Sequence, residues 1–260
     1  PMLNLHVVQA LYGDCLLLEY GEAEQPHFLL IDGGPNTVYE THLRPLLAAV
    51  AERGNRLDRV VLTHADDDHV IGLVQLFKEL RLAQRDGQPP LIGVGEVWMN
   101  SFAFDADAAP SMAPILIPPP APAAFPVLDE GEDVAPPVPQ YGVAEGMDLR
   151  ELLAALHLPV NQGFPADLVT LDAAPPPATN GLTLTLVGPA KSNLHRLRRD
   201  WLAWLAKHRA PEGVQAISDY DRKVSPDQSI PNRSSIMFVA EYGGKRLLFT
   251  CDGRAGDLLN

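Results

Sequence analysis

Four side chains able to bind a metal, His64, Asp66, Asp68 and His69, fall within the stretch Thr63-His64-Ala65-Asp66-Asp67-Asp68-His69. Neutral imidazole nitrogen and anionic carboxylate oxygen both coordinate divalent cations, and few other constellations need these residue types so close together. The apolar run Leu57-Asp58-Arg59-Val60-Val61-Leu62 precedes the stretch and reads as a buried strand, and Gly72 and an amphipathic helix follow it. The stretch is therefore expected in a loop at the C-terminal end of a strand, where α/β sheets place their chemistry. In an extended loop His64, Asp66 and Asp68 point one way and Asp67 the other. A solvated acidic turn ahead of a helix is the plainer reading. It suits one His beside one Asp better than two His bracketing alternating Asp. Asp32 ends the apolar run Leu29-Leu30-Ile31 and precedes Gly33-Gly34-Pro35-Asn36. There it can orient a metal ligand, or satisfy the backbone amides of its own turn.

The stretch resembles the first metal motif of the metallo-β-lactamase fold, usually H-x-H-x-D-H, with the second His replaced to give H-x-D-x-D-H. That variant is similar to the nuclease domain of the bacterial DNA-uptake channel ComEC and its soluble relatives. Tyr12-Gly13-Asp14-Cys15-Leu16-Leu17-Leu18 resembles the early hairpin of that group, and Leu29-Leu30-Ile31-Asp32-Gly33-Gly34 its "L-I-D-x-G" strand end. Asn232-Arg233-Ser234-Ser235 resembles "N-x-S-S", and Leu247-Leu248-Phe249-Thr250-Cys251-Asp252 resembles "L-L-x-x-G-D". The likeness covers most of the chain outside residues about 100 to 180.

The resemblance implies an α/β fold, a metallo-β-lactamase-like αββα sandwich in which residues 1–260 form a single domain with a Pro-rich insertion at about 101–145. It also implies two divalent metal ions. His64 and Asp66 would hold the first, Asp68 and His69 the second, and Asp252 would be shared. Asp68 and His69 are then the expected catalytic residues. Asp14, Asp32, Asn232 and Ser235 are expected to contact substrate or support the ligands, although Asn232 and Ser235 serve equally well as turn caps. Asp66 in place of a His adds anionic oxygen, which favours a harder ion such as Mn2+ over Zn2+, with Zn2+ and Mg2+ as alternatives. The implied activity is a nuclease cleaving DNA or RNA with metal-activated water. Two alternatives remain: a metallo-hydrolase acting on a lactone, thioester or small phosphodiester, and a non-catalytic interaction module. A further metal-binding His found in the wider superfamily has no counterpart at the end of the strand Leu182–Val187, and His195 falls later, inside a helix. The chain stops at Asp257-Leu258-Leu259-Asn260, ahead of the strand that in the resembled family ends in a His-His-Gly-Ser-like sequence. The expectation is a C-terminally incomplete fold, or one completed by a second polypeptide or C-terminal fragment.

The positioning elements follow from apolar periodicity. Strands are expected at Leu3–Ala10, Cys15–Tyr20, His27–Ile31, Val60–Leu62, Leu91–Met99 and Leu182–Val187, with a hairpin formed by Ser234–Tyr242 and Lys245–Thr250 around Gly243-Gly244. Helices are expected at about Thr41–Arg53, Ile71–Arg85, Met147–Leu156 and Ser192–Arg209, the last locally basic. Residues about 101 to 145 hold Pro118-Pro119-Pro120, Pro122, Pro126, Pro136-Pro137 and Pro139. Repeated proline sustains neither interior helix nor central strand, so this span reads as an insertion rather than a second core.

The length of 260 residues suffices for a full core, and the net charge is −13. That acidity argues against broad metal-free binding of nucleic acid, which needs Lys and Arg to replace counterions. Bound cations offset it only locally. Two cysteines, Cys15 and Cys251, read as small buried strand residues. No apolar run reaches the roughly 18 residues that span a bilayer, and the N-terminal residues lack the charged and apolar regions expected of a signal peptide. A cytoplasmic protein with no membrane partner and a nucleic-acid substrate is the expectation.

Overall fold

Three apolar runs explain the centre of the fold. Leu29-Leu30-Ile31, Val60-Val61-Leu62 and Val97-Trp98-Met99 are apolar at every position, the pattern of parallel strands covered on both faces. In the computed structural model, which describes residues 1–100, 143–174, 176–195 and 232–253, they lie side by side in a five-stranded sheet. Its strands are β1 (Met2–Val7), β2 (Leu16–Glu22), β3 (Gln25–Ile31), β4 (Leu57–Leu62) and β5 (Val94–Met99), in the spatial order β1-β2-β3-β4-β5. β1, β2 and β3 are antiparallel neighbours, while β3, β4 and β5 run parallel. The helices α1 (Arg44–Glu52) and α2 (Asp67–Arg85) make the two parallel crossovers, and a π-helical turn, Tyr39–Leu43, leads into α1.

Side-chain alternation divides the sheet's two faces. Leu30, Val60, Leu62, Val97 and Met99 join a core with Leu43, Leu47, Leu73, Leu76 and Phe77 of the helical layer. The helix α3 (Val143–Ala155) adds Leu149 and Leu153 to the same core. The intervening Leu29, Ile31, Val61 and Trp98 face the other way, into a second core. A three-stranded antiparallel sheet closes that second core, formed by β6 (Thr183–Gly188), β7 (Met237–Tyr242) and β8 (Lys245–Phe249). It contributes Leu184, Phe238, Ala240 and Phe249. The result is two facing sheets with helices outside the larger one, as expected of this fold.

The strands expected from sequence all form, with ends shifted by a few residues. Two helices differ more. α3 starts at Val143, inside the span expected to be insertion, because no proline stands between Val143 and Ala155. α2 starts at Asp67, four residues before the expected Ile71, with Asp66 as the extended residue ahead of it (ψ 148°). Carboxylates in a first helical turn face the positive end of the helix dipole, so the run of aspartates begins the helix instead of delaying it. The proline-rich run before Val143 lies outside the described residues, as does the expected basic helix Ser192–Arg209 beyond His195; residues 191–195 are helical.

A carboxylate on α2 fastens that helix to α1 and to the turn ahead of α1. Glu79 on α2 accepts from the Tyr39 hydroxyl at 2.6 Å and from Arg44 Nε and Nη2 at 2.9 Å each. Among the described residues no helix is long and apolar enough to cross a membrane.

Candidate metal centre

Three chain segments meet at the C-terminal ends of β3 and β4. Asp32 follows β3 in a left-handed conformation (φ 56°), and its amide donates to Val61 O at 2.9 Å. Gly33 and Gly34 then lie against the first turns of α2: Gly33 N donates to His69 O at 2.8 Å and Gly72 N to Gly34 O at 3.0 Å. A Cβ on Gly72 would stand 1.9 Å from Gly33 O, so only glycine permits this approach. On the other side, a Cβ on Gly13 would stand 2.1 Å from Asp68 O, which places the Tyr12-Gly13-Asp14 turn directly on the site. The second sheet is tied in where Ile236 N donates to Thr63 O at 2.9 Å.

Asp32 is fully buried and organises the interior side of the site. Its Oδ1 accepts from Thr63 N at 2.8 Å, and its Oδ2 accepts from the Thr63 hydroxyl at 2.7 Å. His69 Nδ1 lies 2.8 Å from the same Oδ2. His64 Nδ1 lies 3.0 Å from Thr63 Oγ1. The two imidazoles are 4.1 Å apart between centroids. Their Nε2 atoms approach one carboxylate oxygen, Asp252 Oδ2, at 3.8 Å from His64 and 3.7 Å from His69. Both distances exceed hydrogen-bond length and are electrostatic contacts. Asp66 Oδ2 is 3.4 Å from His64 Nε2, and Asp68 Oδ1 is 3.8 Å from His69 Nε2.

The structure thus gathers His64, Asp66, Asp68, His69 and Asp252 from two places in the sequence, the stretch 64–69 and the far end of the chain. Ligand atoms of His64, His69 and Asp252 lie within 4.8 Å of one another, as do those of Asp14, Asp32 and His69. Ser235 is buried beside the Ile236–Thr63 hydrogen bond, and its amide donates to Asn232 O at 3.2 Å. The segment carrying Asn232 and Ser235 is therefore fastened to the strand end that carries the motif. Cys15 is buried and Cys251 half-buried, and both are free thiols. Cys251 has a left-handed backbone (φ 47°) immediately before Asp252. His195 is exposed.

The electrostatics suit a cation. Burial opposes charge on His69, but Asp32, aided by Asp252 and Asp68, overrides this and holds its pKa well above the ordinary value. His69 is in turn the main reason that Asp252 sits below the usual carboxylate range, against the effect of burial. Burial raises the Asp68 and Asp14 carboxyls, with His69 pulling each the other way.

Four buried atoms test whether the residues fit a metal: His64 Nε2, Asp66 Oδ1, Asp68 Oδ1 and His69 Nε2 have no hydrogen-bond partner. A buried polar atom left so costs about 1–3 kcal/mol. Four such atoms within six residues, all of ligand type, fit the binding of divalent cations. Thr63 and the close approaches of Gly13, Gly33 and Gly72 are the positioning features that the sequence reading did not assign. The one signal for Thr63 was its place directly before the first His.

A two-sheet α/β fold with a buried His/Asp cluster at its strand ends defines the class as a metallo-hydrolase scaffold. The family model of the Metallo-beta-lactamase superfamily matches residues 10–146, just over half of the chain, and the chain belongs to that superfamily. Its members are generally metallo-hydrolases that bind divalent metals, often zinc. No curated protein matches the chain.

Proposed function

We propose that this chain is a metal-dependent phosphodiesterase that cleaves nucleic acid. The carrying observation is the convergence of the buried, unpartnered ligand atoms of His64, Asp66, Asp68 and His69. Three carboxylates against two imidazoles, counting Asp252, make an oxygen-rich donor set. Such a set prefers a harder ion, manganese or magnesium before zinc, and suits a phosphoryl oxygen better than an amide carbonyl.

His64 and Asp66 would hold one ion, Asp68 and His69 a second, and Asp252, facing both imidazoles, would serve both. Bound there, the ions supply Lewis acidity, which polarises a phosphoryl oxygen and acidifies water at neutral pH. The protein's own residues fix the geometry. Asp32 holds the His69 ring by its Nδ1 and leaves Nε2 facing the ligand side. Gly33 and Gly72 hold the first turns of α2 against the end of β3, so that Asp68 and His69 keep their place. Asp68 and His69 are the catalytic residues of this reading, and Asp14 borders them from the Gly13 turn.

The test is nicking of supercoiled plasmid with manganese, magnesium or zinc, by the chain and by its Asp68→Ala variant. Metal-dependent nicking that falls to background in Asp68→Ala is expected. A net charge of −13 favours a second reading, a hydrolase of small lactones, thioesters or phosphodiesters. A chain that hydrolyses such substrates with metal but leaves plasmid and oligonucleotides intact would overturn the first reading in favour of the second.

A further inference from the structure

We infer that Thr63 is a positioning residue: its hydroxyl passes the orientation imposed by Asp32 on to His64, so that one buried carboxylate fixes the tautomers of both imidazoles. The inference rests on the metal-binding reading of the site and adds a residue to which that reading gives no role.

Counting protons sets the direction of each bond. A threonine hydroxyl has one proton to donate, and a carboxylate has none. Thr63 Oγ1 lies 2.7 Å from Asp32 Oδ2 and 3.0 Å from His64 Nδ1. Were the hydroxyl to donate to His64, its lone pairs would face the carboxylate oxygen at 2.7 Å, two acceptors in contact inside a buried site. The proton therefore lies on the line to Asp32, and the hydroxyl accepts from His64. His64 must then carry its proton on Nδ1, which leaves the Nε2 lone pair for a ligand role. The same Asp32 Oδ2 accepts from His69 Nδ1 at 2.8 Å, so that ring too keeps a proton on Nδ1 and turns Nε2 to the ligand side. Both Nε2 atoms are buried without a partner, and both approach Asp252 Oδ2. The backbone holds the relay in register: Thr63 N donates to Asp32 Oδ1, and Thr63 O accepts from Ile236 N. The β-branch at Cβ further narrows the rotamers open to the hydroxyl.

A carboxylate–imidazole contact behind a metal ligand is a common way to set its tautomer and basicity. Here one carboxylate serves two imidazoles, the second through a neighbouring side chain. The residue directly before the first His thus carries a requirement of its own, for a hydroxyl.

Nitrogen-15 imidazole spectra of the metal-free protein test this directly. In the unmodified chain the neutral His64 ring should carry its proton on Nδ1, and a ring protonated on Nε2 would overturn the relay whatever any variant does. Thr63→Ser, which keeps the hydroxyl, should preserve the tautomer and hold manganese affinity within about threefold. Thr63→Val, which keeps the shape, should mix the His64 tautomers and weaken manganese binding by about 10–100-fold. An unchanged tautomer in Thr63→Val, or a Thr63→Ser variant as impaired as Thr63→Val, would reduce Thr63 to packing. Should the unmodified chain take up no metal, the metal reading falls, while the spectra still decide the role of Thr63.

Discussion

At the scale of single residues, the Asp32 side chain is the acceptor on which the site turns. It has no exposed surface and receives donors from Thr63 N, Thr63 Oγ1 and His69 Nδ1. Asp32→Asn keeps the size but replaces one acceptor oxygen with an NH2 group, so at least one donor–acceptor pair becomes donor–donor. Metal affinity should fall by about 10–100-fold, the usual effect of losing the group behind a metal ligand. Stability should fall by about 1–3 kcal/mol, the cost of buried donors left without acceptors. Metal titration and denaturant unfolding read the two effects separately. An Asp32→Asn variant with normal metal affinity would show that the orientation of His69 comes from packing alone.

At the scale of elements, the site depends on how closely α2 meets the turn after β3. Gly72 and Gly33 touch through backbone atoms, and a Cβ on Gly72 has no space. Gly72→Ala therefore forces α2 away from the turn and moves His69, three residues earlier, relative to Asp32. A loss of about 2–3 kcal/mol is expected, at the upper end of overpacking costs, together with weaker metal binding. Urea midpoints and metal titration check both. If Gly72→Ala were as stable as the unmodified chain, the contact would be adjustable and His69 would not depend on it. This contact also shows where the sequence stops being legible. The parallel strands could be read because each is an uninterrupted apolar run, and the cluster of candidate metal ligands in the first motif because four such residues fall within six positions. The start of α2 was misread because a run of aspartates looks like a loop until the helix dipole is weighed. The Asp32–Thr63 bonds could not be read at all, since they join residues that only the crossover through α1 brings together. Asp252, at the far end of the chain, was assigned through the resemblance, because no local spacing links it to His64 or His69.

At the scale of the whole molecule, charge decides how a polyanion can approach. The chain carries 33 acidic against 20 basic side chains, a net −13. The site itself concentrates Asp14, Asp32, Asp66, Asp68 and Asp252. A phosphodiester meets repulsion there unless cations stand between, so under the proposed function metals would be required for substrate binding as well as for chemistry. A protein that grips nucleic acid with 6–10 basic contacts loses about 10³–10⁵ in affinity between 50 and 200 mM salt. On the proposed function, attraction would come from a few ions held inside the site and screened little by bulk salt. The KM for a single-stranded oligonucleotide at fixed manganese should therefore rise by less than about tenfold over that range. Chelation should abolish retention of the oligonucleotide as well as its cleavage. A thousandfold rise in KM, or full retention after chelation, would place substrate binding on a basic surface away from the metals. Shallow salt dependence with metal-dependent retention would tie binding and chemistry to the same cluster at the ends of β3 and β4.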